Sequence, residues 1–231
     1  MIDFAVWDRL LRQYVDQQGR VDYQAWSQQP KTLTNWLASL EAPNLNSDLT
    51  DEHLALWINL YNAFTISTIL ERYPIASIRP VVLGMPNWFA FLRFFQRRAY
   101  RLANQTYSLA QIENDMLRDR WHDPRIHFAI VCASIGCPLL RNEAYTADLV
   151  LRQLEDDAHR FINNPDKVRY DAQTKTLYCS KIFQWYRQDF LQVASSIPDY
   201  ICTHRQDLPL TAATAIAYLD YDWSLNQRTS S

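Results

Sequence analysis

The stretch that most narrows the choice of fold runs from Asp51 to Tyr73. Within it, Leu54-Ala-Leu-Trp-Ile-Asn-Leu-Tyr-Asn-Ala-Phe-Thr-Ile-Ser-Thr-Ile-Leu70 is apolar on nearly every face of a helix. Asp51 and Glu52 stand at its start, where the helix dipole favours acids. A helix with no wet face has to be enclosed, and a chain of 231 residues is long enough to enclose it within one domain. Asn59 and Asn62 lie three apart on one side of it. A buried amide left unpaired costs about 1 to 3 kcal/mol, so each needs a partner: they tie down neighbouring loop backbone, or one of them lines a polar substrate site.

Chemistry concentrates in Arg125-Ile-His-Phe-Ala-Ile-Val-Cys-Ala-Ser-Ile-Gly-Cys-Pro138. Ile126, Phe128, Ala129, Ile130 and Val131, bounded by Pro124 before and by Gly136 and Pro138 after, read as a buried strand that the chain leaves at Cys132. Ala133 and Ser134 are small, so the amides of that turn can approach whatever the sulfur attacks, and successive amides favour negative charge. A lone cysteine at a strand end is also a common core filler. His127 adds weight to the nucleophile, because an ionisable ring inside an apolar run must be paired or accessible. On a regular strand, residues five apart face opposite sides, so Cys132 and His127 meet only if the turn swings the sulfur back.

Composition sets the remaining bounds. A net charge of -2 and a pI near 6.2 give no general field for nucleic acid or anionic lipid. Gly19, Gly84 and Gly136 are too scattered for a Walker loop or a dinucleotide fingerprint, and no cofactor is expected. The start lacks a basic lead followed by an apolar core, and no apolar run reaches the length of a membrane span, so a cytoplasmic chain with reduced cysteines is expected.

In order along the chain, Phe4 to Val15 and Leu33 to Leu40 predict amphipathic helices, with an extended piece at Val21-Asp-Tyr23 between them. Pro43 and Asn44 to Asp48 form the most linker-like segment. Between Asn87 and Arg101, Arg93, Arg97, Arg98 and Arg101 interleave with Trp88, Phe89, Phe91, Phe94, Phe95 and Tyr100, a pattern that can stack on single-stranded nucleic acid. In so acidic a chain it reads instead as half-buried structure, with a hairpin over Phe94 to Leu109, and no nucleic-acid partner is expected. Ser108-Leu-Ala-Gln111 is a capping box opening a helix through Glu113 and Leu117. Thr146 to Phe161 predicts another helix, Val168 to Cys179 a hairpin, Ile182 to Phe190 a short aromatic helix, Tyr200 to His204 a further helical piece, and Ala215 to Leu219 a strand. One domain over 1–226 is expected, with residues 1–46 as a helical flank and 227–231 as a disordered tail. The fold class is α+β, a buried central helix packed on a small, mainly antiparallel sheet, with the thiol at a strand end.

Val21-Asp-Tyr23, Trp57-Ile-Asn-Leu-Tyr-Asn62, Ile112-Glu113 with Leu117-Arg118, His127-Phe-Ala-Ile-Val-Cys132 with Cys137-Pro138, Ile182-Phe-Gln-Trp-Tyr186 with Asp189-Phe190, and Tyr221-Asp-Trp-Ser-Leu-Asn226 together resemble domain-of-unknown-function family 547. The family's helix motif is Ile-Glu-His, and Asn114 stands at its third position here. By analogy the resemblance implies a papain or transglutaminase type of thiol fold, in permuted order. Carried over residue by residue, it makes Cys132 the nucleophile, His127 the base and Glu113 the group that orients the base.

The leading function is therefore a cysteine-dependent hydrolase or acyltransferase acting on a peptide, isopeptide or small amide bond. The amides after Cys132 would hold the oxyanion, and Asn59, Asn62, Ala133, Ser134 and Trp185 would contact substrate. The alternative is a non-catalytic domain that binds a peptide or a thiol-containing small molecule such as glutathione. Two further possibilities are a zinc site using Cys132, Cys137, His127 and Cys179, which lacks the paired CxxC rhythm, and a Cys132/Cys137 redox pair.

Overall fold

The fold is described from a computed structural model, which covers residues 3–40, 49–82, 85–97, 100–102 and 105–228. The linker-like segment up to Asp48, Gly84, Arg98, Asn104 and residues 229–231 lie outside the described residues. Helices α1 (Ala5–Tyr14), α2 (Tyr23–Ser27) and α3 (Lys31–Ser39) precede α4 (Asp51–Leu70). Thr50 caps α4 by accepting the His53 N–H, and every residue from Leu54 to Ile69 is buried. Trp7 lies between Trp36, 5.9 Å away and nearly parallel, and Trp26 at 6.2 Å. All three rings belong to the same core as α4, so the N-terminal helices are part of the domain's wall around that helix.

A short antiparallel pair, β1 (Val81–Val82) with β2 (Met85–Pro86), leads into α5 (Trp88–Gln96). The hairpin expected over Phe94 to Leu109 forms only in its later part, as β3 (Tyr100–Leu102) against β4 (Gln105–Tyr107). Phe94 instead lies within α5 and is buried, while Phe89 on the same helix is 76 % exposed. The hairpin packs on α4 through Tyr100 over Phe64, 4.4 Å between ring centres, and Tyr107 on Trp57 at 5.2 Å. The predicted capping box is present: Gln111 N–H reaches Ser108 Oγ, and Ser108 N–H reaches Gln111 Oε1. It opens α6 (Leu109–Gln111), which continues as a π-helix over Ile112–Arg118 and then α7 (Asp119–Trp121).

After a 3-10 turn at Pro124–Phe128 come α8 (Val150–Ile162), the hairpin of β5 (Val168–Asp171) and β6 (Thr176–Cys179), α9 (Ile182–Trp185), α10 (Arg187–Phe190), α11 (Ile197–His204) and β7 (Ala215–Tyr218). Strand β7 pairs parallel to β6, while the other three strand pairs among the described residues are antiparallel, so the architecture is α+β with mainly antiparallel pairing.

Three expectations need correction. Helix α4 does not pack on the three-stranded sheet: it is wrapped by α2, α3, α8, the π-helix and the β3–β4 ribbon, whereas Leu177 and Cys179 of the sheet belong to a second core around Phe128, Phe161, Phe183 and Phe190. A helix apolar all round needs cover on every side, and a sheet of four-residue strands covers one. The run Ile126 to Val131 is not a strand. Asn62 of α4 accepts the Val131 N–H at 2.9 Å and donates to Ala129 O at 3.0 Å, giving that backbone partners without a neighbouring strand. The thiol therefore leaves a side-chain-clamped segment, not a sheet. Finally, the tail expected from 227 is fixed at its first two residues: Gln227 bridges Val21, and Arg228 N–H donates to Val21 O.

Candidate active site

Ala133 adopts a left-handed conformation, φ 64°, and turns the chain just after Cys132. The C-terminal segment braces that turn. Asn226 N–H donates to Ala133 O, while Ile135 N–H and Gly136 N–H donate to Ser224 O and Asp222 O at 2.8 and 2.7 Å. A Cβ at Gly136 would stand 2.7 Å from the Tyr221 ring, so glycine is what lets this ring lie against the turn and bring its hydroxyl to the sulfurs.

Cys137 Sγ accepts hydrogen bonds from Cys132 N–H (3.1 Å), Ser134 Oγ (3.4 Å) and Tyr221 O–H (3.1 Å). Cys132 Sγ is 3.3 Å from Ser134 Oγ and 3.6 Å from Tyr221 OH. Burial opposes charge on Cys137, but the hydrogen bonds from Cys132, Ser134 and Tyr221 outweigh it and bring its thiol down to about 6. Its hydrogen bond with Cys137, burial and the neighbouring charge push Cys132 well up. The backbone amide of Cys132 can serve only Cys137, so Cys137 is the sulfur that ionises first. Tyr221 is held as a neutral hydroxyl by burial and by the charge of both sulfurs. Lys167 supports the same turn, donating from Nζ to Ile135 O at 2.7 Å.

His127 is 3 % exposed and stacks on Tyr186 at 3.8 Å. Its Nε2 lies 2.7 Å from Asp189 Oδ2, and Arg118 grips the same carboxylate through Nε and Nη2 at 2.7 and 2.9 Å. Burial raises the Asp189 carboxyl, yet the bonds from His127 and Arg118 hold it well below the usual range. An ionised Asp189 accepts the Nε2 proton, so in the neutral ring Nδ1 carries the lone pair. Nδ1 itself is buried and has no hydrogen-bond partner among the described residues.

Cys132, Cys137, His127 and Glu113 line one cavity of about 430 Å³ with Tyr61, Tyr186, Tyr221, Trp185 and Trp223 among its walls. Glu113 does not touch His127: its Oε1 accepts from Tyr186 O–H at 2.5 Å and its Oε2 from Tyr61 O–H at 3.4 Å. Asp189, 62 positions away from His127, occupies the orienting place, and the only signal for it in the sequence was its presence beside Phe190 in the aromatic motif. Asn114 accepts from Arg118 Nη1 and so belongs to the support of that carboxylate.

Of the candidate substrate contacts, Trp185 lines the cavity and is 47 % exposed, resting on Tyr221 and Trp223. Asn59 and Asn62 do not line it. Asn59 holds Tyr145 through its N–H and carbonyl and accepts from Trp7 Nε1, and Asn62 clamps 129–131. Ala133 and Ser134 are buried outside the lining, although Ser134 Oγ reaches both sulfurs. Of the amides that follow Cys132, those of Ile135, Gly136 and Cys137 are committed to the carbonyls of Ser224, Asp222 and Ser134. All four cysteines are free, and Cys179 is fully buried in the second core, apart from the pair. Among the described residues no group of three or more His, Cys, Asp and Glu side chains is placed to hold a metal ion.

Fold and cavity define an α+β domain that carries two thiols beside a histidine–aspartate pair. The chain belongs to the family described as "Protein of unknown function, DUF547", whose model matches residues 45–162. That span contains α4, Glu113, His127 and both thiols, whereas Asp189 and Tyr221 lie beyond it. No curated protein and no solved structure matches the chain. Among the described residues, no helix is long and apolar enough to cross a membrane.

Proposed function

We propose that the chain is a thiol enzyme, working in a reducing compartment, that cleaves or transfers an acyl group at a peptide, isopeptide or small amide bond. The observation that carries this is that His127, with Asp189 fixing its Nε2 proton, lines the same cavity as Cys132. Cys132 passes its proton to His127 Nδ1 and attacks the carbonyl carbon. The C–N bond breaks as His127 returns that proton to the leaving amine, and water or an acceptor amine then releases the acyl group from the thioester. No hydrogen bond joins His127 to Cys132 in the free protein, and such contacts commonly tighten only when substrate is bound. Tyr221 O–H, which donates to Cys137 Sγ in the structure, would turn from that sulfur to donate to the developing oxyanion. Likeness to papain or transglutaminase enzymes rests on this arrangement of cysteine, histidine and carboxylate.

The test is the alkylation rate of Cys132 by iodoacetamide across pH 4 to 9, mapped by peptide mass, in wild type and His127→Ala. It is paired with turnover of an amide panel by wild type and Cys132→Ala. Alkylation that slows in the histidine variant, with turnover lost in the cysteine variant, supports the activity; turnover unchanged in Cys132→Ala removes it.

The hydrogen-bond cradle around Cys137 favours a second activity, thiol–disulfide exchange. Cys137 thiolate would attack a substrate disulfide and expel one thiolate, and Cys132 would resolve the mixed disulfide as an intrachain pair, to be reset by an external thiol. A mobility shift between reduced and oxidised chain that Cys137→Ser abolishes would support it.

A further inference from the structure

Of Cys132, His127 and Glu113, the three candidate catalytic side chains, Glu113 is the one that the chemistry above leaves without a task. It is 8 % exposed, it lines the cavity, and its hydrogen-bond partners among the described residues are two neutral hydroxyls, those of Tyr186 and Tyr61. Among the described residues no lysine, arginine or histidine forms an ion pair with it. Arg118, five residues on in the same π-helix, gives Nε and Nη2 to Asp189 and Nη1 to Asn114, so its donors are spent elsewhere. Arg118 therefore acts on Glu113 only through space, and a carboxylate withdrawn from water whose direct partners are neutral hydroxyls gains from a cation in contact with it.

The walls around it are of the kind that also attract a cation. Aromatic faces draw positive nitrogen: Tyr186 already stacks on His127 and has the Arg118 guanidinium 5.2 Å from its ring centre, and Arg79 lies 5.0 Å from that of Trp223, so Trp185 and Tyr221 are the lining rings offered to a ligand cation. No lysine or arginine is found among the described lining residues. His127 adds a second observation: it is buried in the same cavity, and among the described residues its Nδ1 has no hydrogen-bond partner, so a donor on a bound molecule would find an open acceptor there.

We propose that the substrate carries a positively charged nitrogen, an ammonium or guanidinium, seated between Glu113 and the aromatic faces while its carbonyl lies at Cys132. The position of the carbonyl rests on the acyl-transfer activity proposed above; the cation seat does not. The substrate class is thus an apolar or aromatic amide bearing a basic group, such as a peptide with a lysine-type or arginine-type side chain or a free N-terminus.

Binding of three compounds of similar size, 2-phenylethylammonium, 2-phenylethanol and phenylacetate, tests this at pH 7 through tryptophan fluorescence or ligand-observed NMR. It is run on wild type, Cys132→Ala and Glu113→Gln. The ammonium compound should bind about tenfold or more tighter than the alcohol in wild type and in Cys132→Ala, phenylacetate should bind weakest, and the preference should collapse in Glu113→Gln. Equal affinity for ammonium and alcohol in wild type overturns the proposal, as does a preference that survives Glu113→Gln or failure of all three to bind at millimolar concentration. The wild-type ratio decides even if the glutamate variant does not fold. A cation preference without any amide turnover defeats only the acyl-transfer activity, and turnover without the preference defeats only the cation seat.

Discussion

Asp189 determines which nitrogen of His127 can act as a base, because an ionised carboxylate 2.7 Å from Nε2 accepts a proton there and leaves the lone pair on Nδ1. Asp189→Asn keeps the size but offers an amide that can donate to Nε2, which moves the ring proton to Nδ1 and unpairs Arg118. Amide turnover should fall by about 10²- to 10⁴-fold in kcat, by analogy with other histidine–aspartate pairs, with little change in circular dichroism. The second residue-scale prediction concerns the thiols. The folded chain should release a proton from Cys137 near pH 6, which the unfolded chain keeps until near its ordinary value of 9.0. Hence thiolate absorbance at 240 nm should rise through about pH 6 and this step should vanish in Cys137→Ser. The sign for stability follows. Cys137 contributes stability that grows from about pH 6 to 9 and is lost as pH falls through 6, and above 9 the raised Cys132 acts in the opposite sense. A single step at pH 8 to 9 would show that the cradle does not hold a thiolate.

At the scale of elements, α4 does two jobs: it fills the core, and through Asn62 it supplies the backbone partners of the chain that leads to Cys132. Asn62→Ala would leave Val131 N–H unpaired, and Ala129 O with only the Tyr145 hydroxyl at 3.5 Å. The expected cost is about 2 to 3 kcal/mol in urea unfolding, together with faster alkylation of Cys132 as the segment loosens; a loss under 0.5 kcal/mol would mean that the clamp is incidental. This is also where sequence and structure part. The capping box at Ser108, the enclosed helix and the β5–β6 hairpin were legible because each rests on contacts between near neighbours in the chain. The run Ile126 to Val131 was not, since a buried apolar run has the same composition whether its backbone is paired by a strand or by an asparagine 67 to 69 positions away. The need of Asn59 and Asn62 for partners was readable, and in the structure those partners are backbone groups, joined at Asn59 by the Trp7 indole N–H. For the site, residue types and neighbourhood could be read at Cys132 and His127, while Asp189 depended on a contact across 62 positions that no spacing encodes.

Across the whole molecule the site straddles two apolar clusters. Cys132 packs against the larger one, where Ile126 and Val131 are buried, whereas Phe128 is buried in the smaller among Phe161, Phe183, Phe190 and Tyr200, with ring centres 4.9 to 6.5 Å apart. His127, between Ile126 and Phe128 in sequence, rests on Tyr186 and Phe190 from the second cluster. The distance from base to thiol is therefore set by how the clusters dock, and one short segment passes through both. Such sharing should make them unfold together. Trp7, Trp26, Trp36 and Trp57 report on the first cluster by fluorescence, and Cys179, fully buried in the second, reports by its accessibility to a thiol reagent. The two probes should follow one urea transition. Phe128→Ala, which empties a ring-sized space beside His127, should move both midpoints together by a loss of about 3 to 5 kcal/mol. If Cys179 becomes reactive at a lower urea concentration than the fluorescence change, the clusters are separate folding units, and the geometry between His127 and Cys132 is then adjustable, not fixed by a common core.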